Sequence, residues 1–296
     1  MILRDVRRNK NKTAFIVGIF ALVVALFVYF ISILLFDDVY IALIIGFAFS
    51  IISSFASYYN SDKIVLSLNK ARPATEEEDL ELNMLLEGLC LATGLPKPKL
   101  YVMDDAALNA FATGRNPEHS VICVTTGLLK KLDKYELEGV LAHELSHIKN
   151  YDILLSTVAS VMVGFVVMIS DLFLRVRFYR DDDDSDSKAS AIIMIIGLIF
   201  VILAPIFSQL LQLALSRNRE YLADSSAVEI TRNKDGLINA LRKLTDDDHN
   251  LKNANKATAS MFIVSPFANN RKKVRDSLMS THPNTENRIL ALQNIK

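Results

Sequence analysis

Four long apolar runs divide the chain. Residues 13–36 carry no charged side chain, and neither do residues 39–59. As helices rising about 1.5 Å per residue, each can cross about 30 Å of hydrocarbon. Asp37 and Asp38 separate these two runs, and Tyr58 and Tyr59 close the second where an interface would fall. A cleavable signal peptide fits the first run poorly, because the run is too long for an h-region and a second span follows at once. A third run, 153–174, is interrupted only by Asp171; a fourth, 189–215, carries Gln209 and Gln212 near its end. Two arrangements fit this second pair: a transmembrane hairpin, or a hairpin that enters the bilayer only partway. Arg175, Arg177 and Arg180 in the connecting loop weigh against full crossing.

The segments between the runs are polar and periodic. Residues 74–92 place Leu80, Leu82, Leu85, Leu86 and Leu89 among acidic neighbours, a helical pattern that Gly94 and Pro96 terminate. Residues 99–103 and 120–125 predict short strands, the second rich in β-branched side chains after an Asn116-Pro117 turn. Asp133 and Glu136 have the spacing of a capping box and open a helix to about Asn150. Residues 220–229, 236–244 and 285–293 predict helices, and 246–255 a mobile acidic, Asn-rich loop. The organisation that follows is 1–60, an N-terminal transmembrane hairpin; 61–152, the first polar part; 153–215, the second hydrophobic hairpin; and 216–296, the second polar part. Arg4, Arg7, Arg8, Lys10 and Lys12 precede the first span, and Lys63, Lys70 and Arg72 follow the second. The excess of positive charge on both flanks places the N-terminus and the polar parts in the cytoplasm, on a multi-pass protein of the cell membrane.

Composition sharpens this picture. The chain is 51% hydrophobic and 22% charged, with a mean hydropathy of +0.27. Very apolar segments therefore alternate with ordinary polar ones. Lys+Arg and Asp+Glu both number 33, so the net charge is zero and a nucleic-acid partner is excluded. The two cysteines, Cys90 and Cys123, form no metal-binding or disulfide pattern and read as buried thiols. The acidic run at 181–186 reads as a solvated loop, with a cation site as the alternative.

The chemistry concentrates in His143-Glu144-Leu145-Ser146-His147. Helical residues four apart differ by about 40° around the axis, so both imidazoles leave one face and can share a Zn²⁺. Glu144, about 100° round from His143, can reach a water at the metal without ligating it. A third ligand is required, and Glu220 is the best candidate. Asp224, four residues on, can then accept a hydrogen bond from the distal N–H of a ligand imidazole. His282 could donate to a developing oxyanion, with Arg288 adding positive charge; a turn histidine before a helix cap is the alternative. His119 and His249 read as exposed. His147 lies six residues before the third run and Glu220 five after the fourth, so the centre sits close to the membrane surface. Strand 120–125 is expected at a sheet edge, where Val121, Ile122, Cys123 and Val124 would take up an extended substrate, with Asn109, Ala110, Phe111 and Ala112 lining the same groove.

These residues, together with Asn109–Arg115, Thr125–Leu129, Glu136–Asn150, Arg219–Asp224, Thr281–Pro283 and Asn287-Arg288, resemble the HtpX membrane zinc metalloproteases, relatives of the CAAX prenyl proteases. The resemblance covers almost the whole chain. It implies an α-helical integral membrane protein with a mainly α (α+β) gluzincin-type metalloprotease domain carrying a small β-sheet. It implies one Zn²⁺ held by His143, His147 and Glu220, Glu144 as general base, a supporting role for Asp224, and His282 and Arg288 as transition-state helpers. The implied activity is endoproteolysis of misfolded or damaged membrane proteins at the cytoplasmic face, with unfolded polypeptides and the lipid bilayer as partners. A narrow-specificity processing protease and a zinc-binding scaffold are the alternatives.

Overall fold

The computed structural model describes residues 2–36, 39–178, 217–255, 257–267 and 283–295. The fourth apolar run, the acidic loop at 181–186 and His282 lie outside the described residues. The helices are α1 Ile2–Phe36, α2 Val39–Tyr59, α3 Ser61–Leu68, α4 Glu76–Thr93, α5 Thr126–Lys131, α6 Lys134–Lys149, α7 Asp152–Phe178, α8 Arg217–Thr231, α9 Lys234–Asp246 and α10 Thr285–Gln293. The strands are β1 Arg72–Pro73, β2 Lys99–Met103, β3 Ala110–Gly114 and β4 Ser120–Thr125.

Local chemistry sets the helix that matters most. Asp133 Oδ1 accepts from the backbone N–H groups of Tyr135 and Glu136, and Glu136 Oε2 accepts from Asp133 N–H at 2.8 Å. This reciprocal cap starts α6 and is worth about 1 kcal/mol. Leu137, Val140, Leu141, Leu145 and Ile148 then form one buried stripe. They pack with Leu82, Leu86 and Leu89 of α4, Ile122 and Val124 of β4, and Leu237, Ile238 and Leu241 of α9. Asn150 closes α6, and Tyr151, with φ +59°, turns the chain sharply into α7.

The sheet order is β1-β2-β4-β3, with β2 parallel and β3 antiparallel to β4. Strand β4 is therefore interior, which corrects its expected place at the edge. Both its faces are covered. Ile122 and Val124 join the core under α6, while Val121 and Cys123 meet Val65, Leu66, Phe111 and Phe262 on the other side. A continuous apolar run is the mark of a strand buried on both faces. The edges belong to the two-residue β1 and to β3, whose Ala-Phe-Ala-Thr-Gly sequence carries one β-branched residue. Even the β3 edge is partly taken: Ile263 N–H donates to Ala110 O at 2.9 Å, and Phe111 bridges Phe262.

The segment 246–255 is not a free loop. Asp247 Oδ2 accepts from Leu108 N–H, Asp105 Oδ2 accepts from Lys252 N–H, and Leu251 is buried. His119 and His249 are exposed, and Cys90 and Cys123 are free and buried.

Among the described residues, Val6–Leu26 of α1 is long and apolar enough to cross a membrane. Its Ile16, Phe20 and Val24 pack on Leu154, Leu155, Val158 and Met162 of α7. On α2, Ile41, Ile44, Phe47, Ile51 and Phe55 make an exposed apolar stripe at helical spacing.

Helices α6 and α9 cross at two glycines. A Cβ on Gly139 would stand 2.8 Å from Leu237 N, and one on Gly236 would stand 2.4 Å from Tyr135 O. Alanine in a helix is favoured over glycine by about 1 kcal/mol. Forcing the helices apart costs about 1–3 kcal/mol, so the clash wins. Gly139→Ala is expected to lower stability, read as a fall in the thermal midpoint in detergent; an unchanged or raised midpoint would show that this crossing can relax.

Candidate metal centre

The candidate ligand set comes from two helices. Alpha-helical spacing puts His143 and His147 on one face of α6, and α8 crosses that face to bring Glu220 opposite. The rings stand nearly perpendicular at 87°, with their Nε2 atoms 3.2 Å apart. Glu220 Oε2 lies 3.7 Å from His143 Nε2, and its Oε1 lies 3.7 Å from His147 Nε2. Among the described residues, these three form the one cluster of potential ligand atoms, all within 4.8 Å of one another.

The other ring nitrogens decide the protonation. His143 Nδ1 stands 3.0 Å from Asp224 Oδ1, and His147 Nδ1 stands 3.1 Å from Asp152 Oδ2. An ionised carboxylate only accepts, so both Nδ1 atoms carry protons. Both Nε2 atoms then present lone pairs to each other. That arrangement is repulsive unless a cation sits between them. Ligands about 2.0–2.1 Å from a tetrahedral metal stand about 3.3 Å apart, close to the separations found here. The donor set of two imidazoles and a carboxylate fits a divalent metal.

Charge in the metal-free centre follows the same logic. Burial opposes an imidazolium at His147, but Asp152, Glu220 and Glu144 outweigh it and lift its pKa to about 9. A proton there takes the cation's place. Burial also lowers His143 below its ordinary value, against the pull of Asp224. Burial raises the Glu144 carboxyl to about 7. Its Oε1 is buried without a hydrogen-bond partner among the described residues, while the backbone amide of Ala112 lies against the same carboxylate. Glu144 lines a cavity of about 30 Å³ with Ala112, His147, Glu220, Ser260 and Met261, room for a water-sized group.

Asp224 stands where helical spacing put it, facing His143. It is itself held. Arg288 donates from Nε to Oδ2 at 2.8 Å and from Nη2 to Oδ1 at 2.7 Å. A third bond runs from Nη1 to Ile263 O at 2.8 Å. Burial works against the Asp224 carboxylate, yet Arg288 and His143 keep it well below the usual range. Arg288 is fully buried beside His143, and its Nη1 lies 3.7 Å from Glu220 Oε2.

The expected substrate residues divide. Ala112 lines the cavity. Asn109, Ala110 and Phe111 do not: Asn109 Nδ2 is spent on Val264 O at 3.0 Å, Ala110 O on Ile263 N–H, and the Phe111 ring packs on Phe262. Val121, Ile122, Cys123 and Val124 are removed from substrate contact by the interior position of β4. Sequence reasoning missed Asp152, which follows His147 by five residues across the left-handed turn at Tyr151. It also missed Arg219, which donates from Nη1 to Asp152 Oδ1 at 2.9 Å.

A mainly helical fold that sets the HExxH helix against Glu220, so that two histidines and one carboxylate could hold a metal ion, is that of a metalloprotease. The chain belongs to peptidase family M48, whose profile matches residues 76–296. It is similar to the protease HtpX homolog of Lactobacillus acidophilus, 41% identical over 302 residues and 100% of both chains. It is also similar to the protease HtpX homolog of Dictyoglomus turgidum, 43% identical across 97% of this chain and 93% of that one. The crystal structure of S. mikatae Ste24p shares the fold, with a TM-score of 0.51 at 22% identity, over 90% of this chain and 61% of that longer one.

The raised pKa of His147 gives the metal a pH dependence. Below about 9 the metal-free site carries a proton that the metal must displace. Zn²⁺ affinity is therefore expected to rise about tenfold per pH unit between about pH 7 and 9, then level off. Chelator competition at successive pH values reads this directly, and a flat profile would contradict the assignment of Nε2 as the proton's site.

Proposed function

We propose that the protein is a membrane-bound, zinc-dependent endopeptidase that cleaves misfolded or damaged membrane proteins at the cytoplasmic face. The observation that carries the reading is the pair of facing Nε2 atoms, 3.2 Å apart, beside the unpartnered Oε1 of Glu144. His143, His147 and Glu220 hold the ion. Zn²⁺, when bound, supplies Lewis acidity, which acidifies water and polarises a carbonyl.

The chain's own groups do the rest. Glu144 takes a proton from water at Oε1 and passes it to the leaving amine. A carboxyl raised to about 7 exchanges protons readily in both directions near neutrality. Asp224 and Asp152 keep the Nδ1 protons in place, so the lone pairs stay aimed at the ion. The backbone of Ala112 is the part of the β3 edge that faces the cavity, and a substrate main chain can align there. Recognition through the main chain suits loose sequence preference. In this reading His282 contributes a donor to the oxyanion and Arg288 acts through Asp224.

The membrane assignment rests on the apolar length of α1, the exposed apolar stripe of α2 and the basic flanks of both. The cavity is lined by Asp152, Ile153 and Ser156, the first turn of the apolar helix α7. A substrate already at the membrane surface therefore needs little travel to reach Glu144.

Glu144→Gln tests the chemistry. It is expected to retain one Zn²⁺ per chain while cleavage of an unfolded membrane protein in detergent falls about 10²–10⁴-fold. Cleavage at the wild-type rate would reject Glu144 as the base. A zinc-loaded wild type that cleaves no such substrate would reject the proposed activity.

A further inference from the structure

The Asp152 carboxylate gathers three donors, one each from α6, α8 and α1. Two are His147 and Arg219, described above. The third is Asn9 of α1, whose Nδ2 donates to Asp152 Oδ1 at 2.7 Å across 143 residues of sequence. The same Nδ2 donates to Asn150 O at 3.0 Å. One buried amide thus spans both sides of Tyr151, the left-handed residue at which α6 turns into α7. Lys10 adds its ammonium 4.3 Å above the Tyr151 ring. Asn9 and Lys10 together hold all three residues of the elbow.

The elbow fixes how Asp152 meets His147, since the two are joined only through it. Elsewhere α1 meets α7 through apolar side chains, Ile16, Phe20 and Val24 against Leu154, Leu155 and Val158. Apolar contact is non-directional and tolerates sliding or rotation. A buried amide that must keep its partners does not, because leaving it unpaired carries a full desolvation cost. Asn9 therefore sets the register of α1 on α7 and, through Asp152, the orientation of the His147 ring.

We propose that Asn9 is a positioning residue for the metal centre, so that the N-terminal helix completes the site through Asp152. The proposal rests on His143, His147 and Glu220 being the metal ligands. Its consequence is that metal affinity depends on the Asn9 amide reaching the elbow at residues 150–152, and not on the apolar contact of α1 with α7 further along.

The test uses the full-length protein in detergent and Zn²⁺ alone, with affinity read by chelator competition. Asp152→Ala is expected to weaken binding about 10–100-fold. Asn9→Ala is expected to weaken it about tenfold, the loss of one hydrogen bond to a charged group. Asn9→Leu, which keeps the branched shape and removes the donor, is expected to match it. The double variant Asn9→Ala with Asp152→Ala should bind no more weakly than Asp152→Ala, because both act on one contact. Phe20→Ala, which loosens α1 on α7 away from the elbow, should stay within about twofold of wild type. Wild-type affinity in both Asn9 variants, multiplied losses in the double variant, or an equal loss in Phe20→Ala would each overturn the proposal. If affinity is unchanged by Glu220→Ala, the ligand assignment itself fails, and the proposal with it.

Discussion

Two imidazole nitrogens facing each other at 3.2 Å in a buried site cannot both keep their lone pairs unshared. The centre depends on that constraint. Carboxylates on the far side of each ring pin the protons to Nδ1, which removes the tautomer that would let one ring donate to the other. What remains is a pocket that accepts a proton or a metal. The proton is the weaker tenant near neutrality only where enough metal is present, so the same geometry that binds the ion also makes the metal-free state basic.

This constraint recruits elements from the whole chain. Asp224 comes from α8 and is clamped by Arg288 of α10; Asp152 comes from α7 and is held by Arg219 of α8 and Asn9 of α1. Such buried charged groups are costly unless every partner is present. The cost makes the centre a joint property of five helices and not of the HExxH helix alone. The first turn of α7 belongs at once to the cavity wall and to the apolar helix that α1 covers. The candidate metal centre and the apolar pairing of α1 with α7 therefore share this turn.

Much of this was legible in the sequence where helical periodicity governs. Four-residue spacing placed His143 with His147 and Glu220 with Asp224, and Asp133 with Glu136 marked the start of α6. Legibility failed where the chain reverses or where distant segments meet. Asp152 lies five residues past His147, and only the positive φ of Tyr151 folds it back onto the ring. Asn9 reaches it from the other end of the chain. Arg288 carries an obvious charge, but no local pattern says that Asp224, Glu220 and a carbonyl share its guanidinium. The edge assignment of residues 120–125 failed for another reason. Their unbroken apolar run already pointed to a strand covered on both faces, whereas Ala110–Gly114 has too little β-propensity to announce an edge strand.

The most direct test of the account is X-ray absorption at the zinc edge on the purified, zinc-loaded full-length protein. The geometry predicts a sulfur-free shell of nitrogen and oxygen donors at about 2.0–2.1 Å, with the outer-shell scattering of two imidazoles. In Glu220→Ala the same two imidazoles should remain, with the carboxylate contribution lost. A sulfur ligand, or a spectrum with a single imidazole, would contradict the metal centre from which the rest of the account is built.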